Sequence, residues 1–245
     1  MDKEKLVINT LVFLDDLKEG IPQSIIIDKI NDIGINNVEV RREFIKDFNK
    51  EILDIREKAS RYNINLFYSV PELLFKEGKL RRKEIEDYFT EAYNMGCHYV
   101  KMNIGEVSEL SMEDTKIIEE LCKRYSIKLT IENDQTNKNG RCEKIQKFLI
   151  RNRELGGNIS FTFDVGNWIF QEENPIKNAE VLKNFVTYVH LKNVDNNRKN
   201  TLLDEGILDL KKILEILPKD LPMAIEYPCV SIDEVQREIS KALKL

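Results

Sequence analysis

Residues 99–105 read Tyr-Val-Lys-Met-Asn-Ile-Gly. Residues 111–125 read Ser-Met-Glu-Asp-Thr-Lys-Ile-Ile-Glu-Glu-Leu-Cys-Lys-Arg-Tyr, and residues 128–134 read Lys-Leu-Thr-Ile-Glu-Asn-Asp. In the first piece Val100, Met102 and Ile104 fall on one side, with Lys101 and Asn103 on the other. In the last, Leu129 and Ile131 oppose Thr130, Glu132 and Asp134. A period of two belongs to a strand. The middle piece is longer, charged and amphipathic. Ser111 followed by Asp114 reads as a capping-box start, so this piece is a helix. Strand, helix and strand in that order make a βαβ unit with parallel strands and a right-handed crossover.

The same alternation runs along the whole sequence. It predicts strands at 6–13, 37–43, 65–71, 99–105, 128–134, 159–167, 187–194 and 222–228. It predicts helices at 22–33, 46–62, 81–95, 112–125, 141–153, 175–185, 208–217 and 231–245. Each repeat takes about 30 residues, the usual size of a βαβ unit. Eight is the number that closes a (β/α)8 TIM barrel, so the expected fold is a single-domain α/β barrel over 1–245. An open doubly wound sheet normally carries a glycine-rich phosphate loop after its first strand. Here that turn reads Phe13-Leu14-Asp15-Asp16-Leu17, which has no glycine.

Composition narrows the function. With 38 basic and 43 acidic side chains, the net charge of −5 argues against a phosphate-backbone partner. No stretch is long and apolar enough for a membrane helix, and the first residues lack a secretion-signal pattern. The four cysteines form no C-x-x-C pair and read as reduced thiols, so the expected compartment is the cytoplasm. Only His98 and His190 are present, which excludes any site needing three histidine ligands from one chain.

Parity then separates the two faces of six of the barrel strands. In the second, Val38 and Val40 oppose Glu39, Arg41 and Glu43. In the sixth, Phe161 and Phe163 oppose Ser160, Thr162 and Asp164. In the seventh, Val189 and Leu191 oppose Tyr188, His190 and Lys192, and in the eighth Met223 and Ile225 oppose Ala224 and Glu226. The apolar face belongs under the helices, so the polar face points into the barrel. Isolated charges are costly there. Glu132, Asp164, His190 and Glu226 occupy four consecutive strands at spacings of 32, 26 and 36 residues, about one unit each. Crowded carboxylates repel one another, and a divalent cation relieves that repulsion. Mixed oxygen and imidazole ligands suit one Mn, Mg, Co, Fe or Zn ion. The alternative is ion pairing of each carboxylate with Arg41, Lys101 or Lys192. Asn103, Asn167 and Trp168 join these three cations as expected substrate contacts, although Trp168 and Phe170 also suit core or lid packing. His98 falls at the opposite end of the barrel and reads as structural.

At these residues the sequence resembles the xylose isomerase-like barrels, a family of sugar phosphate isomerases and epimerases with apurinic endonuclease IV as a distant relative. The matching pieces are Val38-Glu39-Val40-Arg41-Arg42-Glu43, Leu129-Thr130-Ile131-Glu132-Asn133, Phe163-Asp164-Val165-Gly166-Asn167, Val189-His190-Leu191-Lys192, Asp204-Glu205-Gly206-Ile207-Leu208-Asp209 and Ile225-Glu226. The resemblance implies metal ligation by Glu132, Asp164, His190 and Glu226. It also implies that Glu132 and Glu226 exchange protons with a sugar carbon, through an enediolate. Many members carry His where this chain has Asn167, and Asp where it has Asn193. An amide hydrogen-bonds but is neither a general acid nor a general base.

The expected function is therefore a metal-dependent isomerase or epimerase of a small carbohydrate-like substrate. A dehydratase on a related polyol or keto acid and a non-catalytic sugar-binding barrel are the alternatives. A metal-dependent DNA endonuclease is disfavoured by the acidity and the histidine shortage. The expected partners are the small substrate and neither nucleic acid nor membrane, with a homo-oligomer left open.

Overall fold

The computed structural model describes residues 2–245. The barrel strands are β1 (Leu6–Asn9), β2 (Asn37–Arg41), β3 (Asn65–Lys76), β4 (Tyr99–Gly105), β5 (Lys128–Glu132), β6 (Ser160–Asp164), β7 (Val186–Leu191) and β8 (Met223–Ile225). All eight pair in parallel in the order β2-β1-β8-β7-β6-β5-β4-β3, and β3 pairs back onto β2 to close the cylinder. The helices are α1 (Leu14–Glu19), α2 (Gln23–Asp32), α3 (Phe48–Tyr62), α4 (Arg82–Met95), α5 (Met112–Tyr125), α6 (Cys142–Glu154), α7 (Pro175–Leu182), α8 (Leu210–Ile216) and α9 (Ile232–Ala242). This is a single-domain (β/α)8 barrel. Among the described residues no helix is long and apolar enough to cross a membrane. The four cysteines are free, three of them buried.

The parity of the strands decides what each face meets. Val38, Val40, Val100, Met102, Ile131, Phe161, Phe163, Val189 and Ile225 are buried in the large core between strands and helices. Each such side chain contributes about 1.5–3 kcal/mol through removal from water. A second, small cluster of Val7, Phe67, Tyr188 and Ala224, with Tyr99 packed against it, fills the lower barrel. Phe67 stacks on both Tyr99 and Tyr188 at 4.8 Å between centroids. These rings floor the barrel, and the polar side chains of the same inward faces lie above them.

Several strand ends differ from the sequence reading, each for a local reason. β1 stops at Asn9, whose side chain caps the following 3-10 turn by accepting from Leu11 N at 2.9 Å. The unanticipated helix α1 follows and ends at Gly20, whose φ of +85° suits a residue without Cβ. β3 runs past Pro71 to Lys76, with a register shift between Ser69 and Leu73. Proline has no N–H to donate, so the ladder bulges there and resumes. β6 ends at Asp164 because its own Oδ1 accepts from Gly166 N and Asn167 N, at 2.9 and 2.8 Å, and turns the chain. Helix α5 starts as expected, with Ser111 Oγ accepting from Asp114 N at 3.0 Å.

Candidate metal centre

The C-terminal ends of β5, β6, β7 and β8 bring Glu132, Asp164, His190 and Glu226 together. One ligand atom from each lies within 4.8 Å of all the others, and all four residues are buried. The local folding explains how each is aimed. Asn133 bridges the ends of β5 and β6, accepting from Asp164 N at 2.9 Å and donating to Asp164 O at 2.9 Å. With Oδ1 of Asp164 tied to its own turn, Oδ2 faces the cluster. Glu226 follows β8 directly, and its N–H extends the ladder to Leu191 O at 3.2 Å. His190 Nδ1 lies 2.5 Å from Glu132 Oε1 and 3.2 Å from Glu226 Oε2.

Cations surround the acids. Lys101 Nζ is 2.5 Å from Glu132 Oε2, and Arg41 Nη1 is 2.8 Å from Glu226 Oε1. Lys192 Nζ lies 2.7 Å from Asp164 Oδ2 and 3.1 Å from Glu226 Oε2. The Lys192 stem passes over Gly166, where a Cβ would sit 2.7 Å from Lys192 Cγ. Glycine is therefore required for that approach.

The charges reshape one another. Burial opposes ionisation of Glu132, but Lys101 and His190 outweigh it and hold the carboxyl low. Glu226 is likewise buried and held well below the carboxylate range by His190, Lys192 and Arg41. Asp164 goes the other way, because burial, with Glu226 and Glu132 close by, outweighs Lys192 and lifts it to about 7. Burial would depress the His190 imidazolium, yet Glu226, Glu39 and Glu132 raise it well above its ordinary value.

Despite these contacts, Glu132 Oε1, Asp164 Oδ2 and His190 Nδ1 are buried without a hydrogen bond of acceptable geometry. Buried polar atoms without a well-formed hydrogen bond are uncommon, and here three of them face one another, held by charge alone. Three carboxylates and one imidazole fit a divalent ion, and four ligands are fewer than the six that Mg and Mn commonly take.

The sequence profile of the xylose isomerase-like TIM barrels matches residues 27–244. The chain belongs to that family. No curated protein matches it significantly. Among solved structures of similar fold is a D-psicose 3-epimerase with D-fructose, 13% identical, with a TM-score of 0.72 over 98% of this chain and 97% of that one. Another is the probable 3-DHS dehydratase AsbF of Bacillus anthracis, 13% identical, with a TM-score of 0.73 over 98% of this chain and 99% of that one. A third is the IOLI protein with a bound zinc atom, 14% identical, with a TM-score of 0.69 over 98% and 96%. At these identities the likeness is one of fold.

Not every expected contact of this xylose isomerase-like barrel lies at the centre. Arg41, Lys101 and Lys192 do. Asn103 instead donates to Asp134 at 3.2 Å, in a network that also holds Asn139 and Thr136 of the loop after β5. Asn167 donates to Asn133 O at 2.8 Å, while its Oδ1 is buried and unpaired. Trp168 takes the core-packing alternative. It is fully buried against Phe161 and Phe163, at 6.3 and 5.4 Å between centroids, on the helix side of β6. Its large apolar ring is better covered there than at a polar mouth. Asn193 is a loop clamp, donating to Leu203 O and Leu208 O and accepting from Val194 N and Leu208 N at 2.9–3.2 Å.

Two inward residues escaped the list of sequence candidates. Glu39 lies behind His190, 2.9 Å from Nε2. Ser69 stands on β3 in direct register with Arg41 on one side and Lys101 on the other, and its buried Oγ has no partner. The period-two parity marks Glu39 as inward, but nothing local pairs it with a histidine 151 residues away.

Proposed function

We propose that the protein is a divalent-metal-dependent enzyme that isomerises or epimerises a small carbohydrate or carbohydrate derivative. The observation that carries this reading is the convergence of Glu132, Asp164, His190 and Glu226, all buried, with one ligand atom of each within 4.8 Å of the others. An ion of Mn, Mg, Co, Fe or Zn held there supplies Lewis acidity toward a carbonyl and its neighbouring hydroxyl. The remaining chemistry falls to side chains. Glu132 and Glu226 both face His190 Nδ1 and come from the first and last of the four strands. Their neighbours keep both ionised, so either is competent to remove the proton on the carbon beside the carbonyl. The other returns a proton drawn from the substrate hydroxyl or from water. Delivery to the opposite face gives the epimer, and delivery to the adjacent carbon gives the isomer. Lys101, Lys192 and Arg41 offset the negative charge that develops on the substrate oxygens. The aromatic floor of Phe67, Tyr99 and Tyr188 limits the substrate to a small molecule entering from the mouth.

The test is incubation of metal-reconstituted protein with a panel of ketoses in deuterated water. Deuterium enters at the reacting carbon, and a chelator abolishes the exchange. Full metal occupancy with no exchange in any ketose sinks the proton-transfer reading and leaves a binding barrel. A dehydratase is the second reading, supported by the cations flanking the acids, which suit a departing hydroxyl. It shares the proton removal but yields a product lighter by one water.

A further inference from the structure

We infer that Glu39 is a positioning residue of the metal centre: it fixes the His190 ring so that Nδ1, rather than Nε2, faces the metal. This rests on the metal reading above and extends it to a residue outside the ligand set. Glu39 comes from β2, and its side chain reaches beneath the ligands with no solvent exposure. Its Oε2 accepts from Asn9 Nδ2 at 2.8 Å and from the Tyr188 hydroxyl at 3.0 Å. The same oxygen lies 2.9 Å from His190 Nε2, and Oε1 lies 3.2 Å from it.

The donors around Glu39 are themselves fixed. Asn9 sits opposite Glu39 in the β1–β2 register, and its Oδ1 is spent on Leu11 N. Its amide nitrogen therefore points at Glu39. The Tyr188 ring is wedged by Phe67 at 4.8 Å and meets the His190 ring edge-on at 5.0 Å. Three donors converge on one carboxylate, and an ionised carboxylate is acceptor-only. The proton on Nε2 is thus held by Glu39, and the Nδ1 lone pair is left toward Glu132 and Glu226. A charged acceptor behind a metal-bound imidazole also makes it a stronger ligand. Glutamine at position 39 keeps the shape and one acceptor oxygen, but it removes the charge behind the imidazole and sets an N–H₂ group where Oε1 lies 3.2 Å from Nε2.

The experiment measures zinc affinity by competition with a chromophoric chelator for the wild type, Glu39→Gln and Tyr188→Phe. Circular dichroism checks the fold of each. Long-range proton–nitrogen correlation spectra of the zinc-loaded wild type report which His190 nitrogen carries the proton. Glu39→Gln should bind zinc about 10- to 100-fold more weakly. Tyr188→Phe should weaken it less, since two donors still hold Glu39, and the proton should sit on Nε2. Unchanged zinc affinity in folded Glu39→Gln overturns the inference while leaving the metal centre standing. A zinc-bound Nε2 overturns it by itself, even if Glu39→Gln fails to fold. A wild type that binds neither zinc nor manganese, magnesium, cobalt or iron overturns the metal centre first and the inference with it.

Discussion

Replacing Glu226 with glutamine removes one charge and one basic oxygen while keeping the side-chain shape. The carboxylate meets Arg41 at 2.8 Å, Lys192 at 3.1 Å and His190 at 3.2 Å. Each of these partners has another acid. Arg41 has Glu43 at 2.6 Å, Lys192 has Asp164 at 2.7 Å, and His190 has Glu132 and Glu39 at 2.5 and 2.9 Å. No buried cation is stranded, so the roughly 3–5 kcal/mol penalty of an orphaned buried charge does not apply in full. Loss of charge-assisted hydrogen bonding costs about 1.5–3 kcal/mol. In a domain of this size that lowers Tm by roughly 3–12 °C, which leaves a folded protein. The amide still offers one oxygen to a metal, so metal content should stay measurable. Turnover should drop at least about 100-fold, about 2.7 kcal/mol of barrier, the lower contribution of a placed acid or base. The assay is turnover on a ketose that shows deuterium exchange, with metal content and Tm recorded on the same sample. A Glu226→Gln variant that keeps its metal and near-normal turnover refutes proton transfer by this glutamate.

Glu132→Gln should behave like Glu226→Gln, whereas Glu43→Gln, a third exposed and at the rim, should cost under about tenfold in turnover; kinetics on the three variants side by side check this. His190 and Asp164 both have raised folded pKa values: the Asp164 contribution is present at low pH and is lost as pH rises from the ordinary carboxylate range through about 7, and the His190 contribution fades only as pH climbs above the ordinary imidazole range. Glu132 and Glu226 act oppositely, adding stability above the ordinary carboxylate range. The metal-free protein should therefore be most stable on the acid side of neutrality, and metal affinity should grow with pH as protons leave His190 and Asp164; urea titrations and chelator competition across pH test both signs. Asn193→Asp should destabilise by at least about 1–3 kcal/mol, because it sets a charge against the carbonyls of Leu203 and Leu208; an unchanged urea midpoint would contradict the clamp. Binding to an abasic duplex should stay non-specific at physiological ionic strength, and tight salt-sensitive binding in a filter or anisotropy assay would show otherwise.

The sequence by itself determined the eight-fold alternation and the sidedness of six of the barrel strands. Both are local properties: successive side chains on an extended chain point to opposite faces, so Val100, Met102 and Ile104 had to separate from Lys101 and Asn103. Parity alone also put Glu132, Asp164, His190 and Glu226 on inward faces of consecutive strands, and closure brought them within 4.8 Å. Tertiary structure decided what those faces meet. Glu39 reaches His190 only because β2, β1, β8 and β7 are neighbours in the closed sheet, at a stagger that no single strand encodes. Ser69 falls between Arg41 and Lys101 by the same register. Trp168 went to the core rather than the mouth because the Asp164 side chain turns the backbone just before it, and that turn depends on hydrogen bonds that a hydrophobicity pattern does not contain.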